Sequence, residues 1–311
     1  MPEQLKAQQL RSLIKRLKFN DHVFSLIGLL CLMVAVVTLL GLFANLLIDG
    51  LERLNYDFFT SFPSRHAAQA GILSAWVGTV LVMLVTVTVA VPMGVAAAVY
   101  LEEYAPKNLL TAIIEINVSN LAGVPSIIYG LLALGLFVYQ LDLGQSILTA
   151  GLTLGLLILP IVIVATRESL RTIPREIREA AYALGTTRWQ MISDHVIPYS
   201  KGGILTGVII GMSRAIGETA PIITIGALTF IAFLPPVPFS GDPGEPVAGL
   251  FDWLFSPFTV LPIQMFNWVS RPQEAFLINA AATGVVIIVL TLAMNALAIY
   301  LRYKIRKNIK W

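Results

Sequence analysis

Apolar residues in this chain run in long unbroken stretches, without the alternation of a strand or the one-sided stripe of a soluble helix. Val23–Ile48 and Ala67–Leu101 contain no charged residue. Ile116–Leu141 and Leu143–Thr166 are divided by Asp142 alone, Gly202–Gly241 holds only Arg214 and Glu218, and Ala275–Leu301 is again free of charge. About 20 apolar residues cross ~30 Å of hydrocarbon. Backbone polar groups inside that layer must be satisfied within the segment, which makes each run a helix. The short alternating segments of a membrane barrel do not occur. The pattern predicts an all-α integral membrane protein with six transmembrane helices.

The polar and prolyl interruptions organise the rest. Pro92 and Pro125 fall inside the second and third runs and predict kinks or helix starts, and Tyr104-Ala105-Pro106 predicts a turn. In residues 1–21, Leu10, Leu13, Ile14 and Leu17 recur at helical spacing between basic residues, the signature of an amphipathic arm on the membrane surface. The longest connection is 234–274. Its first half, from Leu234-Pro235-Pro236 to Gly249, is rich in Pro and Gly and reads as irregular. Its second half carries Trp253, Phe255, Phe258, Phe266 and Trp268, aromatics suited to a membrane interface. The expected division is an arm (1–21), a transmembrane domain (22–301) with connections at 174–198 and 234–274, and a basic tail (302–311).

Composition agrees, with 57% hydrophobic and 13% charged residues, against about a quarter charged in soluble domains. Placement of charge adds orientation. Of the 21 Lys and Arg, all but four lie on the arm, after the second and fourth runs, or on the tail. Arg53, Arg65 and Arg271 face the other side, and Arg214 sits within a run. The positive-inside rule then places both termini in the cytoplasm and requires an even number of crossings. The net charge of +3 reports topology, and nucleic acid is not an expected partner. Cys31 is the one cysteine, so no internal disulfide forms. The first run is too long for a signal-peptide core, and Phe43-Ala44-Asn45 is no small-residue cleavage site, so it reads as a retained span. His22, His66 and His195 are scattered without clustered Cys, and no metal site is expected. No nucleophile–base pair is evident. A GxxxxGK[ST] phosphate loop is missing, so ATP is not expected on this chain.

The most informative segment is Pro174–Pro198, PREIREAAYALGTTRWQMISDHVIP. Pro174 suits a first helical turn, Gly185 a left-handed helix stop, and Thr186-Thr187 a second N-cap. Physics alone predicts a helical hairpin ending at Pro198. Glu179-Ala180-Ala181, three residues, Gly185, and Pro198 thirteen residues later resemble the EAA loop of ABC-transporter permeases. His195 and Ile197 stand where that pattern usually has Ile and Leu. The likeness extends over most of 70–311. Pro92-Met-Gly-Val-Ala-Ala-Ala-Val-Tyr-Leu-Glu-Glu-Tyr, Ala122-Gly-Val-Pro-Ser-Ile-Ile-Tyr-Gly and Arg214-Ala-Ile-Gly-Glu-Thr-Ala-Pro are similar to the permeases of the ABC phosphate importer. Gly217–Pro221, Val124-Pro-Ser and Pro262–Arg271 resemble the A-type of its two permease chains.

This resemblance implies the type I importer (MetI-like) permease fold in a bacterial inner membrane, with a phosphate path shared with a second permease chain. It also implies an ATP-binding subunit dimer carrying the ATP, and a periplasmic phosphate-binding protein. Glu179, Ala180, Ala181, Gly185 and Pro198 would belong to a coupling helix docked on the ATPase. Other readings remain: a permease for molybdate or sulfate, a membrane-embedded enzyme using Glu218 or Glu115, or a scaffold.

Arg214 and Glu218 are i and i+4 on one expected helix face. A charge at mid-bilayer costs about 2.5–3.5 kcal/mol on insertion scales, so both should face protein or water. They could be a packing ion pair, or Arg214 could offer its planar fork to an oxyanion while Glu218 holds it. Ser213 and Thr219 could add hydroxyls. Arg167, where the resembled family often has a carboxylate, and Glu168 read as solvated anchors at a helix end. Glu115, Ser119 and Asn120 read as hydrogen-bonded, or as lining an inner gate. Periplasmic thiol reagents should modify single cysteines placed in 50–65 or 240–250 and spare those placed in 175–195. The reverse pattern would invert the orientation.

Overall fold

The computed structural model describes residues 2–239 and 249–307, with side chains described over 13–239 and 249–304. All regular elements among them are helical. α1 (Pro2–Leu51) and the short α2 (Tyr56–Thr60) precede α3 (Leu73–Val99), whose last turn widens into a π-helical turn, Tyr100–Tyr104. α4 (Leu109–Leu121) and α5 (Ser126–Ala133, extended as a π-turn to Gln140) follow, then α6 (Ile147–Arg171). α7 (Arg175–Ala183) and α8 (Arg188–Gln190) form the hairpin before α9 (Ile197–Ile216). α10 (Ala220–Thr224), α11 (Leu261–Val269) and α12 (Ala275–Lys307) complete the chain.

The crossings differ in kind from six equal helices. Leu13–Leu51, Leu73–Tyr104, Ile147–Arg171 and Ala275–Lys304 are each long and apolar enough to span a membrane. A fifth is reached when α4 and α5, bent by 105° at their junction, count as one. α9 has 20 residues, about 30 Å at 1.5 Å per residue, but Lys201 and Arg214 lower its hydropathy. It stops at Ile216, well short of the uncharged run that continues to Gly241. The arm and the first run form one helix: backbone helix continues from Pro2 through Leu51. Leu10 of the predicted amphipathic stripe lies outside the described side chains, as do the tail beyond residue 304 and residues 240–248 of the long connection. Two of the aromatics assigned to the interface, Phe58's neighbour Trp268 and Phe258, are instead buried in the core.

Three helices make the centre. Val82, Val85 and Ala90 of α3 meet Leu154, Leu157 and Ile158 of α6 and Ala215 and Ile216 of α9. Hydrocarbon tails offer no hydrophobic drive to pack apolar helices, so close approach over small residues and interhelical hydrogen bonds must do it. Gly151 on α6 is pressed against Val85, and Gly207 on α9 against Ala165, with no space for a Cβ at either. Thr86 Oγ1 reaches Gly151 O at 3.2 Å, and Ser169 Oγ donates to Ser200 O at 2.8 Å. A second cluster joins Phe58, Trp268 and Phe276. Arg53 ties it to α12, donating to Asn279 Oδ1 (3.1 Å) and to Ala70 O (2.9 Å). A third, with Leu170, Ile173, Ala181, Met191 and Ile192, fixes the α7–α8 hairpin beneath α6.

Candidate functional site

Two interrupted helices meet at Arg214. α9 ends at Ile216, Gly217 caps it, and Glu218 and Thr219 form a break before α10. Facing this break, α4 gives way to α5 across Ala122–Pro125, where Pro125 supplies no N–H and starts the new helix. Arg214 Nε donates to Glu218 Oε1 at 3.3 Å, and its Nη1 lies 3.5 Å from Ala122 O. The expected pair therefore exists, but Glu218 reaches back from beyond the helix end and does not share its face. Arg214 is half-buried and Glu218 more so. A bidentate carboxylate would occupy two of the guanidinium's five N–H groups; here one donor bonds Glu218 and a second bonds Ala122 O. Tyr129 OH closes the other side by donating to Leu121 O at 2.8 Å.

The two expected hydroxyls are not equivalent. Ser213 Oγ lies 2.8 Å from Ile209 O and 2.6 Å from Asn295 Oδ1, so it joins α9 to α12. Thr219 precedes α10, is partly exposed, and makes no side-chain cap bond to it. Sequence reasoning missed the carbonyl of Ala122 and the hydroxyl of Tyr129. The Pro125 break was the available signal, since a chain bend frees backbone groups that a neighbour must satisfy.

The α7–α8 hairpin follows the sequence closely, with one change at its end. Pro174 caps α7, Gly185 has φ +81°, and Thr187 with Gln190 forms a capping box opening α8. Pro198 does not end the second helix. Met191–Val196 form a π-turn that runs straight into α9, where Pro198 occupies the first turn. Glu179 and Ala180 point outward, whereas Ala181 is buried in the cluster under α6. Around Gly185 no atom stands within 4 Å of the missing Cβ position. Leu184 is 81% exposed and Trp189 61%, so the hairpin tip presents apolar surface.

A further charged cluster was not foreseen. Arg167, read from the sequence as a solvated anchor, is only 5% exposed. Its Nη2 lies 2.6 Å from Glu115 Oε1 and 3.6 Å from Glu102 Oε2. Glu168 does remain exposed, 3.2 Å from Arg171. Ser119 bonds its own helix, donating to Glu115 O at 3.0 Å. Glu115, Ser119, Asn120 and Arg167 line a cavity of about 370 Å³.

Residues 90–238, which include the α4–α5 bend, the hairpin and Arg214, match the family described as binding-protein-dependent transport system inner membrane component. The phosphate transport system permease protein PstA of Xylella fastidiosa (strain Temecula1) is 30% identical over 266 residues, covering 84% of this chain and 85% of that protein. The probable ABC transporter permease protein YqgI of Bacillus subtilis is 31% identical over 212 residues, 68% of this chain and 72% of that one. Among solved structures, a chain of the inward-facing MetNI methionine ABC transporter aligns with a TM-score of 0.50 at 16% identity, over 75% of this chain and 92% of that chain. The chain belongs to the family of binding-protein-dependent transport system inner membrane components. It is a multi-pass membrane transport permease, all-α, with the MetI-like type I importer fold.

The positive φ at Gly185 generates a direct test. A β-branched residue in the left-handed region is strained by about 1–2 kcal/mol or more. Gly185→Val should distort the hairpin tip and remove transport-linked stimulation of ATP hydrolysis, while the chain still inserts in the membrane. Full transport by this variant would separate the hairpin from coupling.

Proposed function

We propose that this chain is the A-type permease subunit of an ATP-driven importer of inorganic phosphate. The observation that carries the substrate is the 30% identity to a PstA protein over 84% of the chain. The geometry supports it. Arg214 offers a planar fork between two helix breaks, with one carboxylate holding it and donors to spare, and such a fork suits a tetrahedral oxyanion. Discontinuous helices near the membrane midplane are a recurrent way to line a solute site. Thr219 sits in the same break and can add a hydroxyl, while Ser213 serves the α9–α12 contact. A permease for molybdate or sulfate would use the same donors and is the rival that substrate competition separates.

The path is shared with a second, homologous permease chain, and a periplasmic phosphate-binding protein delivers the anion. This chain binds no ATP; an ATP-binding subunit dimer does, and it receives the α7–α8 hairpin through Glu179, Ala180, Tyr182, Leu184 and Trp189. Exposed Leu184 and Trp189 on an otherwise charged cytoplasmic loop support this docking, because such surface is unfavourable in water. Ala181 and Pro198 hold the hairpin from within. Both termini lie in the cytoplasm of a bacterial inner membrane.

A conducting site must also release what it accepts, so Arg214 contributes one modest contact. Arg214→Gln should lower phosphate uptake roughly tenfold or more, the order of one charge-assisted contact, and leave assembly with the ATPase intact. Arg214→Lys should restore part of the rate, keeping charge but losing the fork. Normal uptake by the Arg214→Gln/Glu218→Gln double variant would show that the pair only packs helices.

A further inference from the structure

The cytoplasmic end of α3 carries two adjacent glutamates that point to different elements. They sit in the Tyr100–Tyr104 π-turn, a form of helix found mostly as single turns at functional positions. Glu103 is 8% exposed and faces α7. Arg178 Nη2 donates to its Oε1 at 2.8 Å and Nε donates to the same oxygen at 3.2 Å. The same guanidinium donates to Ile173 O (2.7 Å) and Leu170 O (3.0 Å). Arg178 is the residue before Glu179, so the outward hairpin face is rooted directly in this pair. Arg188 of α8 adds a second hold, its guanidinium 5.0 Å from the Tyr104 ring centre.

Glu102 faces the other way. Arg171 Nε donates to it at 2.9 Å, and Arg167 lies 3.6 Å from it. Arg167 also holds Glu115, the single charged residue of α4. α4 buries none of its own side chains, and this ion pair ties it to α6. Beyond Glu115, α4 leads to Ala122, whose carbonyl faces Arg214.

We propose that the Tyr100–Tyr104 turn is the joint that transmits movement of the α7–α8 hairpin to α4, with Glu103 and Glu102 as positioning residues. This rests on the reading of the hairpin as the ATPase-docking element. The physical basis is burial and sharing. A partly buried, multiply hydrogen-bonded pair resists screening by salt and holds its geometry. A shift of α7 must therefore either drag Glu103 or break both of its bonds to Arg178. Glu102 is fixed to the same turn, so it moves with its neighbour against Arg167 and Arg171. Those arginines are what retain α4 through Glu115. A displacement at the hairpin thus reaches the helix break at Ala122 through the Tyr100–Tyr104 turn, these ion pairs and α4 itself.

The test is the ratio of phosphate moved to ATP hydrolysed, in proteoliposomes containing this chain, its second permease chain, the ATP-binding subunits and phosphate-loaded binding protein. Glu103→Gln keeps size and an acceptor but removes the charge. It should lower the ratio about tenfold, within the usual 5–150-fold range of coupling energies, with the complex assembled and hydrolysis continuing. Arg178→Lys, which keeps charge and loses the fork, should fall between it and wild type. Asp21→Asn, exposed on α1 and away from the joint, should match wild type. An unchanged ratio in Glu103→Gln, at full or reduced turnover, would overturn the proposal. So would failure of both Glu103→Gln and Arg178→Lys to assemble, which would assign the pair to folding. A wild-type complex that hydrolyses ATP without moving phosphate would instead sink the functional reading.

Discussion

Every backbone N–H and C=O placed in hydrocarbon must find a partner inside the protein. The architecture of this chain follows from that requirement. It makes the long uncharged runs helical, and it permits breaks only where neighbouring groups can satisfy the freed backbone. Two breaks occur, at Ala122–Pro125 and at Gly217–Thr219. At the first, Gly123 N and Val124 N turn back to Asn120 O and Leu121 O. Tyr129 covers Leu121 O as well, and Arg214 approaches Ala122 O. At the second, Glu218 N reaches Ala215 O and Ile223 N reaches Thr219 O. The breaks face each other, and the half-buried Arg214 stands between them, donating to Ala122 O across the gap.

The same economy governs the charges. Arg214 is held by Glu218 with donors left over, whereas Arg167 and Arg178 are each tied to carboxylates of neighbouring helices. The first arrangement suits transient contact with an anion, and the second suits transmission of force. Alternating access needs both: a weak site in the membrane and a stiff connection to the place where ATP is used. The centre of α3, α6 and α9 is close-packed, with no space for a side chain at Gly151 or Gly207.

Much of this was legible in the sequence, and the failures have physical causes. The hairpin was readable because its turn chemistry is local: Pro174, Gly185 and Thr187 each specify a backbone state without reference to distant residues. The Arg214–Glu218 pair was readable from spacing. Its break was not, because the run after Glu218 stays apolar to Gly241 and hydropathy carries no sign of a helix stopping at Ile216. Pro198 misled for the opposite reason. Proline is as compatible with the first turn of a new helix as with the end of an old one, and the π-turn before it lets the chain continue. Arg167 was misplaced because a charge at a helix end is ordinarily solvated, and its carboxylates come from α3 and α4, distant in sequence. The contact of Ser213 with Asn295 was not legible, because Asn295 lies far away on α12.

In the proposed reading, the permease passes an oxyanion by Arg214 and takes its drive from the α7–α8 hairpin. The most direct measurement is uptake of labelled phosphate into proteoliposomes holding the assembled wild-type complex, with ATP and the loaded binding protein, in the presence of excess molybdate or sulfate. The account predicts ATP-dependent phosphate accumulation that neither competitor reduces. Accumulation of molybdate or sulfate in preference to phosphate, or no ATP-dependent accumulation of any oxyanion, would contradict it.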